Sequence, residues 1–499
     1  MDSMAHARQF LLGPQADPDL SAWRRWQLRC GLVLQTHPAL ECRQASRDDR
    51  TITLLGFALA PDAPERSQEQ ILADLIARAG SLEDVLRAGD ALSGRWIIIH
   101  EQGERSVLFA DATGLRTVVH TLPDCPETWC ASQPALIAKH RHWQPDPEAL
   151  EFWETLGARI PRHIRAWPGA STLYADIHAL VPNHYLDLGT REAVRFYPRA
   201  PLAPISFEDG TERIAAHLRG SLDAAHRHYP VYQQITAGLD SRCILAASRG
   251  HSAATTYFTC VWPSLERSMD GNHRDVRVPR QLLESVGLRH HVYDCPDVPL
   301  SAEVAARVAT CDSPPLEELG PAAAALPGLV PPDVLVINGN GGEIGRCRLH
   351  PTEHPAAISL AELSNFHWTG LGQHPFIRRH LEPWRVETTA ACDRTGYRLL
   401  DLFYWEQKMS RRVARTFLHL DMAHDTFCPY NSRALLDLYF AVPEQHRRPG
   451  GGHQLQHAVI RRLWPEVLAS DINPESKQER LTRLVRRLRR RARGLGLPV

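Results

Sequence analysis

The sequence predicts an α/β protein with a β-rich part over residues 1–200 and a doubly wound parallel sheet after it. Three observations support this prediction. The first 200 residues contain short apolar runs bounded by turn residues, a pattern typical of antiparallel strands. From residue 208 onward, short β-branched runs alternate with helical patterns, which is typical of parallel strands joined by helices. Beyond residue 360 the pattern is mainly helical.

Two hairpins are predicted in the β-rich part. The first pairs residues 94–100 with 106–110 across a polar turn, and the second pairs 177–188 with 193–197 around Gly189. The segment 199–204 contains two prolines, which break regular structure, so a linker and a domain boundary are expected near residue 200.

The second part, residues 201–475, is expected to alternate strands and helices before it becomes helical. We expect four strands, at 231–236, 255–261, 290–293 and 334–338. The expected helices are 208–228, 241–248, 276–286, 302–311, 388–420, 432–440 and 454–463.

Composition sets limits on the class of protein. The 499 residues are 43% hydrophobic and 23% charged, which predicts two to three domains and excludes disorder of the whole chain. The formal net charge is zero, so nucleic-acid binding by the whole chain is not expected. The tail 476–499 is a basic amphipathic segment with eight arginines. It either contacts anionic lipid, RNA or an acidic peptide, or is a solvated terminus.

Cysteine usage and hydropathy indicate a cytoplasmic protein. The eleven cysteines include no Cys-x-x-Cys pair, which indicates reduced thiols and no zinc ribbon, and the 26 histidines fall in no zinc-binding spacing. No apolar run reaches about 18 residues, so no membrane span is expected. The first residues also lack the pattern of a signal peptide.

One heptapeptide, 236–242, has the composition of a phosphate-binding loop. It follows a predicted strand and opens a helix, and such a junction leaves backbone N–H groups available to an anion. Gly238 allows close approach of the backbone, and Asp240 supplies a hard oxygen ligand for Mg²⁺. The alternative is an ordinary strand–turn–helix junction. The predicted nucleotide-binding residues of the loop are Thr236, Ala237, Gly238, Leu239, Asp240 and Ser241.

This loop resembles the Ser-Gly-Gly-x-Asp-Ser pyrophosphate loop of the asparagine-synthetase-like ATP pyrophosphatases, with Thr and Ala at its first two positions. The segment 334–343 is similar to that family's strand ending in Gly-x-Gly-x-Asp-Glu. Asp275 stands like the acid of its Asp-x-x-x-Ala helix, and 427–433 resembles a third family segment. The resemblance implies bound ATP and Mg²⁺, with Asp240 and Glu343 as the metal ligands. It adds Gly339, Gly341 and Gly342 to the nucleotide site.

The first 200 residues also resemble part of this family. The segments 93–100, 109–116 and 180–189 are similar to the glutaminase domain of asparagine synthetase, an N-terminal-nucleophile (Ntn) hydrolase. That domain uses a cysteine at position 2, where this sequence has Asp2. The resemblance therefore implies an Ntn-hydrolase-like β-sandwich without its nucleophile, as in β-lactam synthetases and lasso-peptide cyclases.

The resemblance implies ATP-dependent, AMP-forming amide synthesis. A small-molecule or peptide carboxylate attacks the α-phosphorus of ATP, and an amine donor, or ammonia from a separate glutaminase, then attacks the acyl-adenylate. Lys477, Lys408 and Glu406 are the catalytic candidates, each with a surface role as the alternative. Asparagine-type amide synthesis, closure of a peptide or small molecule, and a degenerate ATP-binding protein without turnover all remain open. Assembly as a homodimer also remains open.

Overall fold

The computed structural model describes residues 5–160, 165–261, 271–295, 301–314, 320–349 and 358–474. Within these ranges the chain forms two six-stranded antiparallel sheets and one five-stranded parallel sheet, together with helices. The predicted α/β class is confirmed. Lys477 and the basic tail 476–499 lie outside the described residues. No described helix is long and apolar enough to cross a membrane.

The first 200 residues contain both antiparallel sheets. Their strands are β1 (Phe10–Gly13), β2 (Arg24–Gln27), β3 (Val33–Thr36), β4 (Cys42–Arg47), β5 (Arg50–Leu59), β6 (Ser93–Gln102), β7 (Arg105–Ala110), β8 (Val119–Thr121), β9 (Cys130–Ala131), β10 (Ile177–Ala179), β11 (His184–Asp187) and β12 (Ala193–Arg195). One sheet has the order β10-β8-β9-β1-β3-β2 and the other β12-β11-β7-β6-β5-β4. Among the described residues of this part, the α-helices are α1 (Gln68–Arg78), α2 (Leu82–Asp90), α3 (Pro134–Arg141) and α4 (Pro147–Arg159).

The long strands β5 and β6 are buried on both faces. They pair over ten residues, from Arg50 opposite Gln102 to Leu59 opposite Ser93. Because side chains alternate along a strand, Ile97 and Ile99 pack between the two sheets, as a sandwich requires. Ile98 points the other way, into a cluster that also contains Trp405 and Phe417 from the second part of the chain. The two parts therefore share a hydrophobic core.

The parallel sheet follows the predicted alternation. Its strands are β13 (Val231–Gln234), β14 (Thr255–Val261), β15 (His290–Asp294), β16 (Leu335–Ile337) and β17 (Asp425–Phe427), in the order β15-β14-β13-β16-β17. The chain runs outward from β13 to β15 and then returns to form β16 on the other side of β13. The strand order therefore reverses between β13 and β16, and the crevice at such a reversal is where open α/β sheets bind ligands.

The second part also contains thirteen described α-helices, of which those between residues 360 and 403 pack with α4 of the first part. The thirteen are α5 (Phe207–His228), α6 (Leu239–Ala247), α7 (Gly271–Ser285), α8 (Ala302–Ala309), α9 (Gly320–Leu329), α10 (Gly342–Gly345), α11 (Leu360–Asn365), α12 (Pro375–Thr395), α13 (Leu399–Phe403), α14 (Ala414–Leu420), α15 (Arg433–Ala441), α16 (Glu444–Arg447) and α17 (Gln454–Leu463). Short 3₁₀ turns lie at Pro18–Leu20, Arg249–Ala254, Pro449–Gly451 and Pro465–Leu468.

The prediction of a single helix over 388–420 is wrong, because the chain forms two helical runs there. Helix α12 ends at Thr395, where Gly396 adopts φ +77° and accepts the left-handed conformation that closes a helix. A second helical run then begins at Leu399, and its middle, Tyr404–Val413, is a π-helix between α13 and α14. Such wide turns are frequent at functional sites, and this one carries two of the predicted catalytic residues.

A buried ion-pair network joins the two parts of the chain. Asp421 accepts hydrogen bonds from Arg95 Nη1 at 2.7 Å and Nη2 at 2.9 Å, and Arg116 Nη1 lies 3.5 Å from the same carboxylate. Arg116 also bonds Asp425 at 3.1 Å, and so does Arg8. The positive charges of Arg95 on β6 and of Arg116 after β7 are thereby neutralised by the carboxylates of Asp421 and Asp425.

Buried neutral histidines are expected to make the fold sensitive to acid. Burial lowers the pKa of His217 from 6.5 to about 4, and the side chain is 7% exposed. The unfolded chain takes up this proton below about pH 6.5, whereas the folded chain does so only near pH 4, so stability falls with pH across that window. Burial lowers the pKa in the same way at His120, His178, His226, His290, His367 and His424.

We expect His217→Leu to reduce the stability lost between neutral and acid pH, by up to about 3 kcal/mol near pH 4. The measurement is the free energy of unfolding in urea at several pH values. His142→Leu is the control, because His142 is exposed. If His217→Leu and the wild-type chain lost the same stability on acidification, burial of this histidine would not be the cause.

Candidate functional site

The predicted phosphate loop lies at the reversal point of the parallel sheet. It connects the end of β13 to the start of α6, and the segment 338–342 leaves β16 beside it. Because β13 and β16 are parallel neighbours, both segments emerge at the same edge. The structure thus brings together the two loops that the sequence analysis assigned to nucleotide binding.

Hydrogen bonds within the loop fix its conformation. The Oγ atoms of Thr236 and Ser241 are 3.0 Å apart, and Gly238 N donates to Thr236 Oγ1 at 3.2 Å. Ala237 N donates to Asp275 Oδ1 at 2.9 Å, which places this acid of α7 against the loop. The hydroxyl of Thr236, at the first position of the loop, therefore stabilises the conformation of the loop.

The N-terminus of α6 has no side-chain cap. Its N-cap is Gly238, which has no side chain to accept from the first-turn N–H groups, and no side-chain cap is present. The helix runs for nine residues, from Leu239 to Ala247, so its dipole points a partial positive charge at this end. Unpaired N–H groups at a helix N-terminus are suited to a phosphate group.

The glycines of the second segment allow it to approach the loop. A Cβ atom at Gly339 would lie 2.8 Å from Ser241 N, and one at Gly342 would lie 2.6 Å from Asp240 Oδ1. Gly341 has φ +91°, a conformation that favours glycine. The close contact of the two segments therefore depends on these small residues.

The predicted metal ligands lie together, but with an arginine between them. Asp240 Oδ2 accepts from Arg346 Nη2 at 2.5 Å, and the same nitrogen is 3.7 Å from Glu343 Oε1. Arg348 Nε is also 3.7 Å from Glu343 Oε1, and the Tyr404 hydroxyl donates to Glu343 Oε2. Both carboxylates are therefore paired with side chains of the chain itself.

The electrostatics of the pair reflect burial. Burial raises the pKa of Asp240 to about 6, and the neighbouring charge of Glu343 adds to this, while Arg346 opposes it. Burial also raises the pKa of Tyr404 well above its usual value, with Glu343 acting in the same direction. At neutral pH the Tyr404 phenol therefore keeps its proton and donates a hydrogen bond to the Glu343 carboxylate.

These residues do not fit a resident Mg²⁺. Mg²⁺ requires several oxygen ligands at close range, and here the oxygens that face each other are held by Arg346. Asp240 Oδ1 is buried without a hydrogen-bond partner among the described residues, so one carboxylate oxygen is left. The described part of the chain contains no group of three or more His, Cys, Asp or Glu side chains placed to hold a metal.

A cavity of about 600 Å³ opens beside the loop. Leu239 and Arg346 line it on one side, and His453, His457 and Arg461 line it from α17 and the residue before it. Its remaining wall is the segment 468–473. This size falls within the range of small-molecule sites, and the basic lining suits an anionic ligand. A larger cleft, about 1190 Å³, lies at β12 and α12 and does not include the loop.

The C-terminal end of the described chain is fastened to the loop. Arg242 donates to the carbonyl oxygens of Val467 at 3.2 Å and Asp471 at 2.9 Å, and Asn473 N donates to Ala237 O at 3.0 Å. Lys477 follows Asn473 by four residues and is itself outside the described residues, so its catalytic role stays a prediction.

The two catalytic candidates of the π-helix face in different directions. Lys408 lies on the side of the site, with its ammonium 5.0 Å from the centre of the Tyr404 ring. Glu406 is fully buried on the other side, where it accepts from Arg195 and Asn183 at 2.8 Å and from Trp384 at 2.7 Å. None of these partners lines the cavity beside the loop, so Glu406 lies in a buried ion pair and its catalytic role stays a prediction.

Several residues of the site were not predicted from the sequence. Arg346 was missed although it follows Glu343 by three residues, the spacing that brings side chains together on one helix face. Tyr430, which donates to Asp240 O at 3.3 Å, lies in the segment 427–433 that had been noted only for its family resemblance. In the same segment Asn431 bonds Thr113 N at 2.8 Å and so joins the two parts of the chain.

No family model and no curated protein matches this chain. Among solved structures, the allosteric regulatory enzyme of purine biosynthesis aligns with 12% identity over 63% of this chain and 74% of its own, at a TM-score of 0.24. Glutamine phosphoribosylpyrophosphate amidotransferase from B. subtilis, complexed with ADP and GMP, aligns with 12% identity over 73% of this chain and 84% of its own, at a TM-score of 0.22. Glutamine-dependent NAD⁺ synthetase from Acinetobacter baumannii, in complex with ADP, aligns with 13% identity over 40% of this chain and 43% of its own, at a TM-score of 0.20. TM-scores this low do not establish a shared fold.

Proposed function

We propose that this chain is an ATP-dependent, AMP-forming enzyme that joins a carboxylate to an amine as an amide. One observation carries the proposal: the loop 236–242 and the segment 338–342 meet at the carboxyl ends of β13 and β16, where the strand order reverses. A crevice at this position binds ligands in open α/β sheets, and the uncapped N-terminus of α6 suits a phosphate. The cavity beside it can hold the rest of a nucleotide.

The residues present suit the departure of pyrophosphate. Attack of a carboxylate on the α-phosphorus leaves a pyrophosphate whose growing negative charge must be stabilised. The N–H groups at the start of α6 and the guanidinium of Arg346 lie beside the cavity where it would sit. Lys408, whose ammonium lies 5.0 Å from the centre of the Tyr404 ring, is a further candidate cation near Glu343. Burial and the charges of Arg412 and Arg348 lower its pKa.

The acceptor and the donor stay open within this proposal. Amide transfer to a small carboxylate, as in asparagine synthesis, and closure of a peptide or small molecule use the same adenylation step. We propose that residues 1–200 act as an Ntn-hydrolase-like scaffold for residues 201–475, and that ammonia or an amine arrives from outside the chain. The shared core around Ile98 and Trp405 supports the scaffold role.

The test is exchange of labelled pyrophosphate into ATP in the presence of a panel of carboxylates. We expect one or more carboxylates to stimulate exchange. We expect Asp240→Asn to reduce that exchange at least about tenfold, because the side chain loses the charge that holds Arg346 in place. Asp209→Asn, at an exposed site on α5, is the matched control and should exchange normally. Unchanged exchange in Asp240→Asn would show that the site is elsewhere.

A second candidate is an ATP-binding protein without turnover. The observation that favours it is the pairing of both predicted metal ligands with Arg346, which leaves the carboxylates neutralised. This candidate predicts nucleotide binding without pyrophosphate exchange for every carboxylate tested. Failure to bind any adenine nucleotide would contradict both candidates.

A further inference from the structure

The cation that neutralises Asp240 and Glu343 belongs to the chain. We propose that Arg346 takes the place of a protein-bound Mg²⁺, so that the site binds a nucleotide polyphosphate through arginine and lysine side chains. That the ligand is a nucleotide rests on the proposed function. That Asp240 and Glu343 hold no metal ion can be tested without a nucleotide.

The Arg346 guanidinium lies between the two carboxylates. It bonds Asp240 Oδ2 at 2.5 Å and lies 3.7 Å from Glu343 Oε1, so it stands between the two carboxylates that would otherwise share a metal ion. The side chain is 14% exposed, so this ion pair is shielded from solvent. A divalent cation entering the same space would meet a fixed positive charge at short range.

Arg346 also faces the cavity in which the ligand would lie. The residue lines the 600 Å³ cavity beside the loop, and its Nε atom is buried without a hydrogen-bond partner among the described residues. A buried donor without an acceptor is costly, and a phosphate oxygen in the cavity would satisfy it. Arg346 can thus hold the carboxylates and a polyphosphate at the same time, as a bridging metal ion does.

The charged side chains around Glu343 carry more positive than negative charge. Two carboxylates, Asp240 and Glu343, face the cations Arg346, Arg348 and Lys408, and Arg412 lies close enough to lower the pKa of Lys408. Among the ion pairs of the described residues, none joins Lys408 to a carboxylate, and its ammonium instead lies over the Tyr404 ring. Positive charge therefore exceeds negative charge before any metal is added, and a polyanion is the ligand that restores the balance.

The first experiment measures metal binding without nucleotide. Mn²⁺ serves as the probe, and its free concentration is followed by electron paramagnetic resonance. We expect the wild-type chain to bind no Mn²⁺ that depends on Asp240. Arg346→Gln uncovers two carboxylates and should bind Mn²⁺, and the double variant Arg346→Gln/Asp240→Asn should lose that binding. Mn²⁺ binding to the wild-type chain that Asp240→Asn abolishes would overturn the proposal.

The second experiment measures nucleotide affinity with and without metal. The probe is α,β-methylene-ATP, which cannot release pyrophosphate, and its dissociation constant is measured by calorimetry in EDTA and in Mg²⁺. For the wild-type chain we expect the two constants to differ by less than about threefold, and for Arg346→Gln by about tenfold or more, since a charge-assisted contact is then missing. Arg348→Gln is the control, because Arg348 is half-exposed and, among the ion pairs of the described residues, is paired with Glu343 at 3.7 Å. It should weaken binding equally in both conditions.

The outcomes separate this proposal from the proposed function. Binding of the wild-type chain only in Mg²⁺ would overturn the role of Arg346 and leave the nucleotide site standing. No binding of α,β-methylene-ATP in either condition would overturn the nucleotide site. The comparison of EDTA with Mg²⁺ uses the wild-type chain, so it decides the matter even if Arg346→Gln does not fold.

Discussion

Replacing Asp421 by alanine is expected to lower the free energy of unfolding by about 3–5 kcal/mol, because it leaves buried guanidinium groups without their counter-charge. The Arg95 and Asp421 side chains are at most 1% exposed, and they form two parallel hydrogen bonds. Arg116, which is 3% exposed, loses part of its compensation as well.

The measurement is urea unfolding followed by circular dichroism, with Asp209→Ala as the matched control. Asp209 forms an exposed pair with Arg213 four residues along α5, and such a pair contributes less than about 1 kcal/mol. The double variant Arg95→Met/Asp421→Leu removes both charges and should recover much of the loss. A loss in Asp421→Ala no larger than in Asp209→Ala would contradict the expectation.

The second large effect is expected from Gly339→Val, which should weaken nucleotide binding about a hundredfold, since a displacement of about 1 Å at a positioned site can have an effect of that size. A Cβ at this position would lie 2.8 Å from Ser241 N and 3.1 Å from the carbonyl carbon of Asp240. Both are backbone atoms, so the loop itself must move. The loop also carries the first-turn N–H groups of α6 to the ligand.

Binding of α,β-methylene-ATP measured by calorimetry tests this, and thermal unfolding shows whether the fold survives the substitution. Gly250→Val is the control, because a Cβ there meets nothing within 4 Å. If Gly339→Val bound the nucleotide as tightly as Gly250→Val, the crossing of the two segments would not be where the ligand is held.

Much of the fold could be predicted from local patterns. The strand expected at 255–261 is observed at Thr255–Val261, and the helix expected at 208–228 begins one residue earlier, at Phe207. The hairpin expected between 94–100 and 106–110 is β6 with β7, turning at Gly103 with φ +57°. These elements are long or are bounded by clear turn residues, so the periodicity of their apolar residues is sufficient.

The residues that were missed depend on contacts between distant segments. Nothing local distinguishes Glu406 from Lys408, two residues away on the same helix. Their different roles arise because β12 supplies Arg195 on one side and the segment after β16 supplies Glu343 on the other. The π-helix also changes the angle between successive side chains, so the spacing of an ordinary α-helix does not give their directions. Arg346 likewise becomes part of the site only when α6 brings Asp240 to it.

The sheet that is buried on both faces has a consequence for dissecting this protein. A fragment that begins near residue 201 would present Trp405 and Phe417 to solvent, and one that ends there would present Ile98 and Phe109. Each fragment would also keep one half of the Arg95–Asp421 pair. We therefore expect neither half to be recovered as a stable product after truncation, and the complete chain to melt in one cooperative transition.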